Sequence, residues 1–265
     1  MTVQMRTIAV MLFIIGSLHA AASTAQQRPI AADHLRSGST YGSADLRSLQ
    51  ADDFQNPGML WVERGARLWR EPAGDVKAAC AGCHNDARQT MRGVATRYPR
   101  FDPKLGRLVN LEGRVNACRV DQQRAQPLEY ETDDLIGLTA YVAHQSRGLS
   151  IAVAIDDAAR PSLEAGRQLY GQRVGQINLA CMHCHDERAG QRLLAETISQ
   201  GHGNAYPIYR LEWQKAGSLQ RRLRACLSGV RAEMWPYGAQ EYLQLELYLA
   251  WRASGLAIET PGVRR

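Results

Sequence analysis

Lysine is scarce in this sequence: Lys77, Lys104 and Lys215 are the three among 32 basic residues. The formal charge of +6 is therefore carried by arginine, whose planar fork grips oxyanions at two points where lysine offers a point charge. No dense Lys/Arg run is present, which excludes a basic tail of the kind that binds nucleic acid and leaves small anions or acidic partners as the targets of the positive charge. Glycine (23) and proline (10) are too few for a fibrous or low-complexity chain. Strictly alternating apolar and polar runs are missing, so a sheet fold is not indicated. After the first 25 residues no apolar run is long enough for a membrane span, so none is expected in the mature chain. What remains is a chain of 265 residues, 45% hydrophobic, with material for one or two ordinary domains.

Residues 1–25 have the layout of an export signal. Arg6 supplies a positive start, the apolar stretch Ile8–Leu18 is short for a membrane span, and small residues follow from Ala20 to Ala25. An uncleaved anchor is the alternative. Residues 26–55 are polar and read as an arm or a loosely packed extension.

Six cysteines in an exported chain would ordinarily mean disulfides. Their spacing points elsewhere. Cys80 and Cys83 precede His84, and Cys181 and Cys184 precede His185. C-x-x-C-H is the attachment signal of c-type haem: one helical turn sets both thiols along one edge of the porphyrin and the histidine beneath the metal as its proximal ligand. A zinc site is the competing reading of C-x-x-C pairs, but zinc does not need a histidine directly after each pair.

The motifs sit at matching places of an internal repeat. Gly65-Ala-Arg-Leu-Trp69 lies fifteen residues before Cys80, and Gly166-Arg-Gln-Leu-Tyr170 fifteen before Cys181. Leu111-x-x-Arg114-Val115-x-Ala117-Cys118 matches Leu219-x-x-Arg222-Leu223-x-Ala225-Cys226, and Tyr130 to Leu149 matches Tyr237 to Leu256 without a gap. A unit of about a hundred residues is a small domain rather than a solenoid repeat. The expected fold is mainly α, two tandem cytochrome c-like domains related by duplication. The first spans 56–157, the second, catalytic one 158–265, with a linker near Asp156–Pro161. Leu135, Leu138, Tyr141 and Val142 predict a helix over Asp133–Arg147, and Tyr242, Leu245 and Leu249 one over Gln240–Ser254, each closed by Gly-Leu.

Sixth ligands are the more informative question. Met91, Met234, His144 and His202 lack counterparts in the other half, and His183 is a spacer within its motif. The residues that do repeat are Cys118 and Cys226. A thiolate opposite each histidine is the resulting reading, giving metal sites of His84 with Cys118 and His185 with Cys226, with low potentials. A Cys118–Cys226 disulfide, or two inert thiols, is the alternative. Arg221, Arg222, Arg224 and Arg231 crowd Cys226 in sequence, and a helical turn places Arg222 beside it.

These residues resemble SoxA, the A subunit of the bacterial SoxAX thiosulfate-oxidising cytochrome. The resemblance is most specific at Arg222-Leu-Arg-Ala-Cys226-Leu-Ser-Gly-Val-Arg231-Ala-Glu233 and from Glu241-Tyr-Leu to Gly255-Leu, with Val115-Asn-Ala-Cys118-Arg matching the first-haem region. Met234 departs from the family's pattern. The resemblance implies a dihaem, periplasmic L-cysteine S-thiosulfotransferase that couples thiosulfate to a cysteine of a SoxYZ carrier. It implies a SoxX-like monohaem partner subunit and a cytochrome c acceptor for two electrons. It also implies that Cys226 ligates the second haem and carries a persulfide, and that Arg222 binds the anion. Two rivals stay open: a dihaem relay for electrons alone, and another dihaem enzyme, such as a peroxidase or a carrier-independent thiosulfate dehydrogenase.

Overall fold

A computed structural model describes residues 30–265; the export signal lies outside them. The helices and strands run in chain order: α1 (Ala44–Ala51), α2 (Met59–Leu68), α3 (Cys80–His84), α4 (Ala87–Thr90), β1 (Arg100–Asp102), β2 (Arg107–Val109), α5 (Leu111–Gln123) and α6 (Asp133–His144). There follow α7 (Arg160–Gly171), α8 (Cys181–His185), β3 (Arg192–Leu193), β4 (Glu196–Thr197), β5 (Ile208–Arg210), β6 (Lys215–Gly217), α9 (Leu219–Gly229), α10 (Gln240–Arg252) and β7 (Gly262–Arg264). The chain is helix-rich, and no helix among the described residues is long and apolar enough to cross a membrane.

Two helix pairs organise the core, and in each a glycine sets the distance. A Cβ on Gly65 of α2 would lie 2.0 Å from the Gly137 carbonyl oxygen of α6. A Cβ on Gly166 of α7 would lie 2.1 Å from the Gln244 carbonyl oxygen of α10. Backbones this close leave no room for a side chain, so these two glycines permit the crossings. Aromatic pairs flank both: Trp69 with Tyr141 at 5.8 Å, and Tyr170 with Tyr248 at 5.2 Å. Leu163 and Leu247 are fully buried beside the second crossing; burying each contributes about 2 kcal/mol.

The predicted final helices form close to their expected limits. Thr132 caps α6 by accepting from the Leu135 amide, and Asp133 and Asp134 lie in its first turn. The left-handed φ of Gly148 and Gly255 turns the chain away soon after α6 and α10. The linker expected near Asp156–Pro161 is instead the entry to a helix: Asp156 accepts from the Ala159 amide, and Pro161 sits in the first turn of α7.

Residues 30–55 differ from expectation too. They do not form a loose arm. Ser43 caps α1, Ser37 accepts from the Asn204 side chain at 3.1 Å, and the Gln50 side chain accepts from the Val263 amide at 3.0 Å. The segment thereby seals β7, an edge strand that pairs in parallel with β5, whose other side pairs antiparallel with β6. Polarity alone suggested a solvated arm; here the polar side chains satisfy strand-edge groups.

Tyr130 and Tyr237 stack at 6.1 Å between the region of α5 and α6 and that of α9 and α10. Nearby, Glu112 and Glu246 are buried, and Asn110 donates to Glu246 at 3.4 Å. Burial raises both pKa values well above the ordinary carboxylate range, Glu112 to about 7 with the charge of Glu131 adding to it, and Glu246 to about 8 with the charge of Glu112 adding to it. The folded protein therefore holds protons that the unfolded chain releases at lower pH. Their stabilising effect is complete below the unfolded carboxyl pKa and is lost as pH rises through the folded values. Unfolding by urea should show lower stability at pH 8.5 than at pH 5.5. Glu246→Gln should flatten that dependence.

Candidate haem and sulfur site

The second C-x-x-C-H segment is clamped at both ends. His183 accepts from the Ala180 amide at 2.9 Å, closing the start of α8, so its ring is committed to the backbone. Asp186, directly after His185, accepts from the Tyr170 hydroxyl at 2.8 Å and from the buried Arg252 at 2.6 Å. Arg252 itself lies 4.5 Å over the Tyr170 ring. Helices α7 and α10 thus fix where α8 stops.

His185 is oriented by its own loop. Its Nδ1 donates to the Ser199 carbonyl at 2.7 Å, which leaves Nε2 as the nitrogen that could ligate a metal. Gly201 supports the ring from below: its φ is +76°, and a Cβ there would lie 2.9 Å from the imidazole. His202 is buried next to it. Burial first, then Arg252 and His185, pushes its pKa down to about 3, so it is neutral.

Cys226 arrives on α9, whose start is capped by Ser218. The surrounding protein raises its pKa, but hydrogen bonding to His185 and the positive charge of Arg222 and then Arg210 outweigh this, and the thiol falls below its ordinary value. Cys181 moves the other way, pushed up to about 11 chiefly by burial. Of Cys226 and Cys181, Cys226 is thus the one whose surroundings favour thiolate. Two thiols on one turn, an imidazole and the Cys226 sulfur beside it are a donor set that could hold a haem c through Cys181, Cys184, His185 and Cys226. Among the described residues no group of three or more His, Cys, Asp and Glu side chains converges as zinc requires.

The first motif has a similar setting. The Ala81 amide donates to the Trp69 carbonyl at 2.9 Å, and Trp69 donates to the Asn85 carbonyl at 3.0 Å, tying α3 to the end of α2. Cys118 on α5 lies near enough to Cys80 for its charge to act on that thiol. Cys83 and His84 are exposed. All six cysteines are free, and each single cysteine lies by its own motif. The geometry therefore disfavours a Cys118–Cys226 disulfide.

The arginine cluster is only half as expected. Arg222, one turn before Cys226, faces it. Arg221 instead covers the Trp213 ring at 4.4 Å, and Arg224 covers Tyr237 at 4.6 Å and donates to the Trp235 carbonyl. At 100° per residue, positions five and two before Cys226 point away from it. Arg231 lies beyond α9 in a left-handed turn. The second arginine at the site is Arg210, from β5, which sequence reasoning missed. It donates to Glu196 at 2.7 Å and Glu212 at 2.8 Å. The overlooked signal was a second short match between the halves, Tyr98-Pro99 with Tyr206-Pro207, which aligns β1 with β5.

The SoxA/TsdA cytochrome c domain matches residues 64–151, which implies haem c as cofactor. The SoxA subunit of L-cysteine S-thiosulfotransferase from Pseudaminobacter salicylatoxidans is 39% identical, covering 86% of this chain and 80% of that protein. The corresponding subunit from Rhodovulum sulfidophilum is 36% identical, covering 88% and 81%. In the crystal structure of SoxXA from P. pantotrophus, a chain 34% identical to this one superposes with a TM-score of 0.84 over 87% of each chain. Together with the paired C-x-x-C-H and cysteine sites, this places the chain in the SoxA family of L-cysteine S-thiosulfotransferase subunits.

Proposed function

We propose that this chain is a periplasmic dihaem subunit that oxidatively couples thiosulfate to a cysteine of a SoxYZ-like carrier, working with a SoxX-like partner. Its two halves, 56–157 and 158–265, are cytochrome c-like domains related by duplication. In support, the order helix, C-x-x-C-H turn, hairpin, helix, helix occurs twice, with a helix-crossing glycine in each half. One haem c would be held by Cys80, Cys83, His84 and Cys118, the other by Cys181, Cys184, His185 and Cys226. Haem, when bound, supplies a centre that accepts electrons one at a time.

The observation that carries the reading is Cys226 facing His185 with Arg222 one helical turn away. Arg222 binds the sulfonate oxygens and turns the terminal sulfur of thiosulfate toward Cys226. The Cys226 sulfur, itself or as a persulfide, forms a sulfur–sulfur bond to it, and two electrons pass to an acceptor cytochrome c. The carrier's thiolate then attacks that sulfur, displacing Cys226 as thiolate. In sum, one thiosulfate and one thiol give one S-thiosulfonate, two electrons and one proton.

The test is reduction of cytochrome c by thiosulfate with the purified holoprotein and its partner subunit, with and without a thiol-bearing carrier. Reduction should require the carrier, whose mass should rise by one thiosulfonate. Tetrathionate formed without any carrier would instead make the chain a thiosulfate dehydrogenase.

A further inference from the structure

The two halves differ in sign at one position next to their arginines. Arg114 and Arg222 each stand fourth in their helix, α5 and α9, one turn before Cys118 and Cys226. The last residue of the neighbouring strand is Asp102 in β1 but Arg210 in β5. In the first half Asp102 takes the arginine directly, Arg114 Nη1 lying 3.3 Å from its carboxylate. That pair is closed, and its arginine is neutralised.

In the second half the two carboxylates within reach are Glu196 of β4 and Glu212 of the β5–β6 turn. Arg210, with a side chain only 5% exposed, holds both, at 2.7 and 2.8 Å. Arg222 stands 3.9 and 4.0 Å from the same two groups, beyond hydrogen-bonding distance. Without Arg210 those carboxylates would have one strong partner left, and it is Arg222.

We propose that Arg210 is a positioning residue for the anion site: by occupying Glu196 and Glu212 it keeps the Arg222 fork free for the sulfonate of thiosulfate. The exchange of Asp102 for Arg210 is then what separates an anion-binding half from a half whose arginine is tied. This rests on the reading of Arg222 as the thiosulfate-binding group. It assigns Arg210 no contact with the substrate.

The test compares three holoproteins: wild type, Arg210→Met, and Arg210→Met combined with Glu196→Gln and Glu212→Gln. Each is assayed for thiosulfate turnover with the carrier, and for binding of sulfate, an unreactive dianion, by calorimetry. Arg210→Met should raise KM and weaken sulfate binding roughly 10- to 100-fold with little change in kcat, because the two carboxylates capture Arg222. The triple variant, which removes those carboxylate charges, should recover both to within roughly threefold of wild type. It decides the matter even where Arg210→Met alone fails to accumulate. A folded triple variant that stays as weak as Arg210→Met, or binds no sulfate, shows that Arg210 holds the anion itself and overturns the proposal. Unaltered KM in Arg210→Met overturns it as well. Wild type that neither binds sulfate nor turns over thiosulfate removes the functional reading instead, a distinguishable failure.

Discussion

Cys226→Ala holoprotein should lose thiosulfate turnover by at least roughly a thousandfold, because the substitution removes the nucleophile rather than weakening it. Cys226 stands on α9 opposite His185, and its surroundings favour thiolate whereas those of Cys181 do not. No neighbouring thiol can replace it: Cys181 and Cys184 belong to the C-x-x-C-H turn, and Cys118 lies by the other motif. Haem should remain covalently attached, since attachment uses Cys181 and Cys184, and the mass of the purified variant reads this directly. Loss of turnover with haem content intact separates sulfur chemistry from a failure of maturation. Turnover within tenfold of wild type would show that Cys226 is not where the sulfur bond forms.

Arg222→Met should be nearly as damaging, through binding. Arg222 is half-buried, faces Cys226 and lies beyond hydrogen-bonding distance of Glu196 and Glu212. Its guanidinium is thus committed neither to a strong ion pair nor to open water. Charge-assisted bonds to a dianion in such a place contribute about 1.5–3 kcal/mol, or roughly 10- to 100-fold in kcat/KM, carried mainly by KM. Arg221→Met is the control. That side chain lies over Trp213 and near Glu131, so its loss should leave KM for thiosulfate within roughly twofold. Equal effects at both positions would mean that the arginines act through net charge alone.

Much of the candidate site was legible because the C-x-x-C-H signal is written in contiguous residues. The spacing of Cys181, Cys184 and His185 is local, and so is the one-turn step from Arg222 to Cys226. The helices of the crossings were legible for the same reason, Leu135 to Val142 repeating on a single face. What escaped is what only tertiary contact brings together. Arg210 reaches the site from a three-residue strand, and its role depends on Glu196 from another strand and Glu212 from a turn. Strands this short carry no alternation to detect. Crowding in sequence misled at Arg221 and Arg224, where helical phase decides direction. Polarity misled at residues 30–55, where Gln50 serves the edge of a strand. Gly201 gave no signal either, since its value lies in the His185 ring it lets approach.

The measurement that most directly tests the account is the intact mass of the protein purified from the periplasm, with the Cys226 peptide mapped afterwards. The account predicts two haem increments, one on each C-x-x-C-H segment, and an additional sulfur on Cys226. No haem, in a host that matures c-type cytochromes, would contradict it at its root; two haems with Cys226 unmodified in every preparation would contradict the persulfide and leave the Cys226 thiolate itself to form the sulfur–sulfur bond.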